Sequence, residues 1–354
     1  MTYLDYQAST PVAPEARAAM LLWLDAAGSA NPHSPHAAGR AAKAAVEVAR
    51  EQVAWLFPAG GRVMFTGSAT EALNLAIQGS KARHMAVSAI EHAAVLDTAQ
   101  AVAQVHELPV DSAGVVDPEV ALAPGTQLVA VMQVNNEIGT VQPVTRLAER
   151  AHEIGALFLC DAVQGGGKLA APAGADLIAL SAHKLHGPKG IGALWVRDGV
   201  ALQPLIYGGG QEGGLRSGTV SPALCAGFGA AAALALAHRD ADAAHVAVLW
   251  AAARAVLPDW TLNGSADQRW LGNLNLRRDG LDAARLISEC RAIAFSAGSA
   301  CASGSGRPSH VLHAIGLSDA EAKSSIRLGF GRYTTLDELV SACRAIDAAA
   351  RAQD

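Results

Sequence analysis

Apolar residues in the first two thirds of the chain come in short unbroken runs: "RVMFT" (62–66), "HMAVSA" (84–89), "QLVAVMQV" (127–134), "ALFLCDA" (156–162), "ADLIALSA" (175–182) and "IGALWV" (191–196). Most show no polar alternation, which predicts strands covered on both faces. Between them, "SATEALNLAIQG" (68–79), "EHAAVLDTAQAVA" (91–103) and "VTRLAERAHEIG" (144–155) have the spacing of amphipathic helices, the last stopped by Gly155 at a C-cap. Strands alternating with helices predict an α/β fold around a mainly parallel sheet. Such sheets collect ligands at the carboxyl ends of their strands.

After about residue 240 the pattern changes. A helix near 241–256 leads to "TLNG", a strand "LGNLNL" (271–276), a helix over 281–291 and a Gly/Ser-rich loop around Cys301. A helix over 308–315, the strand "SSIRLGF" (324–330) and a last helix from Leu336 follow. This predicts a smaller α+β C-terminal domain. The expected division is an N-terminal segment 1–13 packing with the small domain, a large domain 14–240 and a small domain 241–354.

Composition narrows the possibilities. The chain has 354 residues, 51% of them hydrophobic, enough for a large core and for two domains. Lys and Arg number 27 against 32 Asp and Glu, a net charge of −5, which gives no reason to expect nucleic acid or an anionic membrane as partner. The start "MTYLDYQAST" has no apolar run and does not read as a secretory signal. The uncharged stretch Ser217–Ala237 is mostly Ala and Gly and contains Pro222, which favours tight helix packing over a membrane span. Five cysteines without a C-x-x-C pair indicate free thiols in a cytoplasmic protein.

Several polar residues stand at the ends of the apolar strands. Lys184 follows "ADLIALSA", where partial desolvation would lower its pKa and free the amine as a nucleophile, as a Schiff base with an aldehyde cofactor requires; a lysine snorkelling to the surface is the alternative. Asp161 ends "FLCD", the place for a carboxylate that keeps the ring nitrogen of pyridoxal 5'-phosphate (PLP) protonated; it could equally cap a helix. Gln164 lies one turn on and could donate to the ring's phenolic oxygen. "GSATEA" (67–72) opens a helix with small residues and the Thr70 hydroxyl, suited to a phosphate or to an ordinary helix start. His92 sits at the next strand-to-helix junction, where it could stack on the ring or serve the core. Their common position at strand ends favours the cofactor reading over coincidence.

Eight strings extend the pattern: "YLDYQASTPV" (3–12), "NPHSPHAAGR" (31–40), "EHAAVLD" (91–97), "VNNEIGTVQPV" (134–144), "SAHKLHGPKGIGALWVR" (181–197), "GGGQEGGLRSGT" (208–219), "SAGSACASGSGRPSHVLHAIG" (296–316) and "SSIRLGFGRYTT" (324–335). With these in order, the chain resembles the cysteine desulfurases that carry their catalytic cysteine in a long loop, within the fold-type I, class V aminotransferase group of PLP enzymes. The resemblance implies a seven-stranded-type sheet, a homodimer, PLP held on Lys184, Asp161 at the ring nitrogen, and Gln164 with Asn136 at the phenolic oxygen. It implies His92 stacked on the ring, Ala69, Thr70, Ser181 and His183 around the phosphate, and Thr219 reaching in from the second subunit. Arg327 would clamp the carboxylate of L-cysteine through its planar fork of donors, with Asn31 helping to orient it. Lys184 would carry the α-proton and His92 would adjust protons around the substrate thiol. Cys301 would take the sulfur as a persulfide, leaving L-alanine, and pass it to a sulfur-acceptor protein for iron–sulfur cluster assembly or tRNA thiolation. The Gly/Ser composition around Cys301 agrees with a carrier that must travel.

Other features weigh less. "QGGGK" (164–168) lacks the Ser or Thr and the first Gly of a phosphate loop. The pairs His33/His36, His183/His186 and His310/His313 lack a third ligand, so no metal is expected. Cys160, Cys225, Cys290 and Cys343 read as packing residues. Against members of that family, the phosphate loop reads Thr-Gly-Ser-Ala-Thr rather than Thr-Ser-Gly-Ala-Thr, Leu73 replaces a common Asn, Gly165 a usual Ser, and the stretch 235–258 is short. A selenocysteine lyase or another class V PLP enzyme is the competing reading, and Cys301 in a full-length loop argues for the desulfurase. A non-catalytic scaffold would be expected to lose Lys184, Cys301 or Arg327, and all three are present.

Overall fold

The computed structural model describes residues 1–25, 29–298 and 309–353. Strand β1 (Thr2–Tyr3) and helices α1 (Pro14–Leu21) and α2 (Ala37–Ala54) precede the main alternation. That alternation comprises β2 (Gly61–Thr66), α3 (Ala69–Gly79), β3 (His84–Ser88), α4 (Ala93–Val102), β4 (Gln104–Leu108), β5 (Leu128–Ala130), α5 (Val144–Glu153), β6 (Leu157–Asp161), β7 (Leu177–Ser181) and β8 (Gly192–Arg197). These seven strands, β2 to β8, form one sheet in the order β2-β8-β7-β6-β5-β3-β4. From β4 to β7 neighbours run parallel; β8 is antiparallel to both β7 and β2. The fold is therefore α/β with a mainly parallel seven-stranded sheet. Cores lie on both of its faces, with Phe158, Cys160 and Ile178 on one and Leu159, Leu177 and Ala179 on the other. Covering on both faces is the reason these strands read as unbroken apolar runs.

Several boundaries differ from the sequence expectation. The expected strand 127–134 pairs as β5 only over Leu128–Ala130. Val134 then bridges antiparallel to Val141, so the chain doubles back through 135–140 toward the ligand end of the sheet. Strand β4 and helix α2 had no place in the expectation. The first is a polar edge strand, and the second buries a stripe of small residues, Gly39, Ala42, Val46, Ala49 and Val53. Gly155 ends α5 with φ +75°; its N–H donates to His152 O (3.0 Å) and that of Ala156 to Ala151 O (2.9 Å), closing the helix as expected.

The expected helix 241–256 is the second half of one 35-residue helix, α6 (Pro222–Val256), capped by Ser221 and begun by Pro222. The expected domain boundary at 240 thus falls inside a continuous helix. Its first half buries Phe228, Ala231 and Ala232 in the sheet core. Its second half buries Leu249 and Ala253 in a separate core with Trp260. No helix among the described residues is long and apolar enough to cross a membrane.

The chain after α6 forms β9 (Thr261–Leu262), β10 (Asn273–Arg277), α7 (Ala283–Glu289), β11 (Ile293–Ala294), β12 (Ser296–Ala297), α8 (His310–Ala314), α9 (Asp319–Lys323), β13 (Ser325–Gly329) and α10 (Leu336–Arg351). An antiparallel sheet β12-β13-β10-β9 packs on the core around Trp260, Leu274, Ile326 and Leu339. β1 pairs with β11, Leu4 enters the same core, and Asp5 bridges to Gly329. A Cβ at Gly329 would strike the Gln7 amide and the Tyr6 nitrogen, so only glycine lets the N-terminal segment lie this close.

Candidate active site

Strands β6 and β7 lie side by side, and the chain beyond their carboxyl ends opens on a cavity of about 310 Å³. Ala182–Lys184 makes a single 3₁₀ turn directly after β7. The turn is held from the N-terminal segment: Thr10 donates to His183 O through its main-chain N (2.8 Å) and its hydroxyl (2.9 Å), and the His186 N–H donates to that hydroxyl (2.7 Å). Lys184 Nζ donates to the main-chain oxygen of Ala8 (3.0 Å) and to that of Gln7. The Gln164 amide donates to the same Gln7 oxygen (3.0 Å), while Gln164 Oε1, buried, makes no hydrogen bond among the described residues.

Asp161, the last residue of β6, is 6% exposed and accepts from the Val163 N–H (2.9 Å). Burial pushes its carboxyl up, against the opposing pull of His92, of that N–H and of Lys184. His92 caps α4, its Nδ1 accepting from the Ala94 N–H (3.0 Å), so the neutral ring carries its proton on Nε2. Helix α3 points its N-terminus at the cavity with Ser68, Ala69 and Thr70 on the wall. Ser68 caps it, and the Glu71 carboxylate takes the Gly67 N–H (2.7 Å) and pairs with Arg216 (2.7 Å). A Cβ at Gly192 would lie 2.5 Å from the Ser68 carbonyl carbon, so glycine there lets β8 approach the start of α3.

Arg327 on β13 forms the opposite wall with no exposed side-chain surface. It donates to Asn136 O (3.0 Å), Asp5 Oδ1 (2.8 Å) and Ser296 Oγ (3.3 Å), and its Nε has no partner among the described residues. Asn136 reaches the cavity from the 135–140 turn, and Ser181 and His183 line it beside Lys184. Burial and the Lys184 charge lower the His183 pKa to about 4.

Lys184, Asp161, Gln164, Asn136, His92, Ala69, Thr70, Ser181, His183 and Arg327 thus share one cavity. Two expected residues do not join them. Thr219 is exposed and lines a separate cavity with Thr66, Gly67 and Arg216. Asn31 is exposed, and its side-chain oxygen takes the His33 N–H (2.9 Å). Cys301 lies outside the described residues. Cys160, Cys225, Cys290 and Cys343 are buried packing thiols; burial pushes Cys160 well up and Cys225 and Cys343 to about 12. No group of three or more His, Cys, Asp or Glu among the described residues is placed to hold a metal.

The expectation missed Gln7 and Ala8, which act through main-chain oxygens, and Asp5, whose partner is 322 positions away. It also missed Glu91, 1% exposed, whose Oε1 accepts from the N–H of Met132 on the cavity wall (2.6 Å). The Asp and Gln of "YLDYQASTPV" were in view, but nothing in the local pattern says what a main-chain carbonyl faces.

The family described as Aminotransferase class-V matches residues 2–341. The chain is 41% identical over 368 residues to the cysteine desulfurase IscS of Rickettsia bellii (strain OSU 85-389), covering 97% of this chain and 90% of that protein. It is 41% identical over 365 residues to the protein of the same name from Anaeromyxobacter dehalogenans (strain 2CP-C), with the same coverage. Among solved structures, a NifS-like protein from Rickettsia africae superposes with a TM-score of 0.91 at 28% identity, over 99% of both chains. SspA in complex with cysteine superposes with a TM-score of 0.84 at 35% identity, over 95% of this chain and all of that one.

Proposed function

This chain belongs to the class-V aminotransferase family, among its cysteine desulfurases, and from that membership we propose that it removes sulfur from L-cysteine, leaving L-alanine and a persulfide on Cys301. The observation that carries the reading is the convergence of Lys184, Asp161, His92 and Arg327 on one cavity.

The residues present suit PLP. The cavity is at the lower end of the ~300–1,000 Å³ usual for ligand sites. A buried carboxyl raised by desolvation, Asp161, is ready to share a proton with a ring nitrogen. The Gln164 amide nitrogen spends one N–H on Gln7 O and keeps the other to donate to a phenolic oxygen, and Ser68–Thr70 offers main-chain N–H groups and a hydroxyl to a phosphate. Lys184 would hold the cofactor, Asn136 and Gln164 would flank its phenolic oxygen, His92 would cover its face, and Ala69, Thr70, Ser181 and His183 would surround its phosphate. When bound, PLP supplies an electron-withdrawing ring that takes up the electrons left when the α-proton departs.

Arg327 would hold the substrate carboxylate through its guanidinium, and Asn31, which stands outside the cavity of this chain, would help to orient it. Lys184 Nζ removes the proton from the substrate Cα and later returns one, and His92 Nε2 exchanges a proton with the substrate thiol. The Cys301 thiolate attacks the substrate sulfur. An S–S bond forms, the Cβ–S bond breaks, and its electron pair stays on carbon and is protonated, so L-cysteine and one thiol become L-alanine and one persulfide. The sulfur then passes to the thiol of an acceptor protein in the cytoplasm, for iron–sulfur clusters or thiolated tRNA. The exposure of Thr219 supports a homodimer in which it completes the second copy's phosphate site.

The test is incubation of the purified protein with L-cysteine, followed by mass spectrometry of the Cys301 peptide and assay of L-alanine. One extra sulfur on that peptide, absent from Cys301→Ala, is the expected result. A protein that carries PLP but forms neither product would move the assignment to another amino-acid substrate.

A further inference from the structure

Glu137 is a buried carboxyl that no step above uses. It is 3% exposed, and the Asn135 side chain takes its N–H (2.8 Å) and that of Ile138 (2.9 Å). Its Oε2 accepts from the hydroxyl of Ser309, itself 5% exposed, which also caps α8 by accepting from the Leu312 N–H (3.1 Å). Its main-chain oxygen accepts from Asn275 Nδ2 (3.0 Å), and the same amide nitrogen donates to Gly298 O (3.1 Å). Asn263 fixes which way that amide points by donating to Asn275 Oδ1 (2.8 Å). The Gly298 N–H donates to Ser325 O (2.7 Å), and a Cβ at Gly298 would meet Leu312 of α8 at 2.8 Å.

Gly298 and Ser309 are the last and first described residues on either side of 299–308, the stretch that contains Cys301. Both are tied to Glu137, one through Asn275 and one through the carboxyl. The next residue toward the N-terminus, Asn136, lines the cavity and accepts from Arg327 through its carbonyl. We propose that Glu137 is a positioning residue: it clasps both ends of the segment bearing Cys301 to the turn that forms the cavity wall, and so sets where that segment starts and ends relative to the substrate sulfur. The proposal rests on the reading of Cys301 as the sulfur acceptor. A misplacement of about 1 Å at a reacting atom costs on the order of a hundredfold in rate, so a clasp remote from the chemistry can control it.

The experiment uses full-length holoenzyme carrying Glu137→Ala, Ser309→Ala, both together, and Glu137→Gln. Single-turnover persulfide formation on Cys301 is read by mass spectrometry, and L-cysteine affinity is measured separately with each change placed on Cys301→Ala. Glu137→Ala and Ser309→Ala are each expected to slow persulfide formation about tenfold or more while affinity stays within about twofold. The double variant should be no slower than the slower single, because either single change already removes the contact between the two side chains. Glu137→Gln, whose amide oxygen still accepts from Ser309, should restore most of the rate. Multiplying effects in the double variant, or affinity falling in step with rate, would overturn the clasp. If the unaltered protein forms no persulfide, the functional reading fails instead. Hydrogen exchange at α8 then still judges the clasp, which requires both alanine variants to speed it and the glutamine variant to leave it unchanged.

Discussion

Glu91 and Asp161 put two carboxyls in the same buried ground beneath the cavity, and both cannot stay ionised there. Asp161 has His92, Lys184 and the Val163 N–H drawing it toward the charged form. Glu91 has burial and the neighbouring Asp161 charge pushing it well above the usual carboxylate range. The charge therefore belongs on Asp161 and the proton on Glu91. Glu91→Gln should accordingly change stability by less than about 1 kcal/mol near pH 4, where the unfolded chain holds the proton as well, since an amide keeps the bond to Met132 and matches a neutral carboxyl. Glu91→Ala should cost about 2–4 kcal/mol through the lost packing and the stranded N–H. The folded protein binds this proton more tightly than the unfolded chain, so the native glutamate loses stability as pH rises from about 4.5. Urea unfolding across pH should show the glutamine variant gaining on the parent in that direction. A glutamine variant as damaged as the alanine one would mean that Glu91 carries the charge. The strand-end side chains of this site were legible because an apolar run that stops at Asp, Lys or His is itself a signal. Glu91 was not, because beside His92 it looked like an ordinary acidic start to a helix.

Strands were legible in proportion to how fully both of their faces are covered. The fully covered strands β3, β6, β7 and β8 stood out; the polar edge strand β4 and the Ala-rich stripe of α2 did not. The domain boundary expected at 240 falls within α6, whose first half packs mostly small residues and whose second half packs Val246 and Leu249, in one continuous helix. One departure from the family acquires a physical reason at this scale. Gly165 follows β6 in a tight turn whose Gly165 and Gly166 N–H groups both return to Ala162 O (3.0 and 2.7 Å). A Cβ there would land on the side chain of Gln133, whose amide donates to Ala170 O (2.7 Å). Gln133 thus occupies the room that a serine would need. Gly165→Ser should destabilise the protein by about 1–3 kcal/mol, the usual cost of overpacking. Combined with Gln133→Ala, it should cost less than the two single changes added together. Chemical denaturation of the four proteins checks this, and simple additivity would show that the two side chains do not compete.

The N-terminal segment links all parts of the molecule: β1 joins β11, Asp5 meets Arg327, the Gln7 and Ala8 oxygens face Lys184, and Thr10 holds the turn that presents it. None of this was visible locally, since each contact spans at least 170 residues and most use main-chain atoms. His186 sits where these parts meet. Its Nδ1–H donates to Pro11 O (2.9 Å), and its ring meets the edges of Tyr6 and Tyr333 at centroid distances of 5.9 and 5.0 Å. Burial lowers its pKa to about 4, so the fold needs it neutral. Between pH 6.5 and 4 the unfolded chain binds a proton at this position that the folded protein refuses, and stability contributed here is complete above pH 6.5 and drains away toward pH 4. The loss is on the order of 3 kcal/mol, the difference between 6.5 and about 4 at 1.36 kcal/mol per pH unit. His186→Asn removes the titration while tolerating the residue's φ of +68°. Relative to the parent, its melting temperature should fall less steeply over that interval, whatever its value at neutral pH. Parallel pH curves for the two proteins would mean that protonated His186 is accommodated between the tyrosines, and that the N-terminal segment is not anchored through a neutral ring.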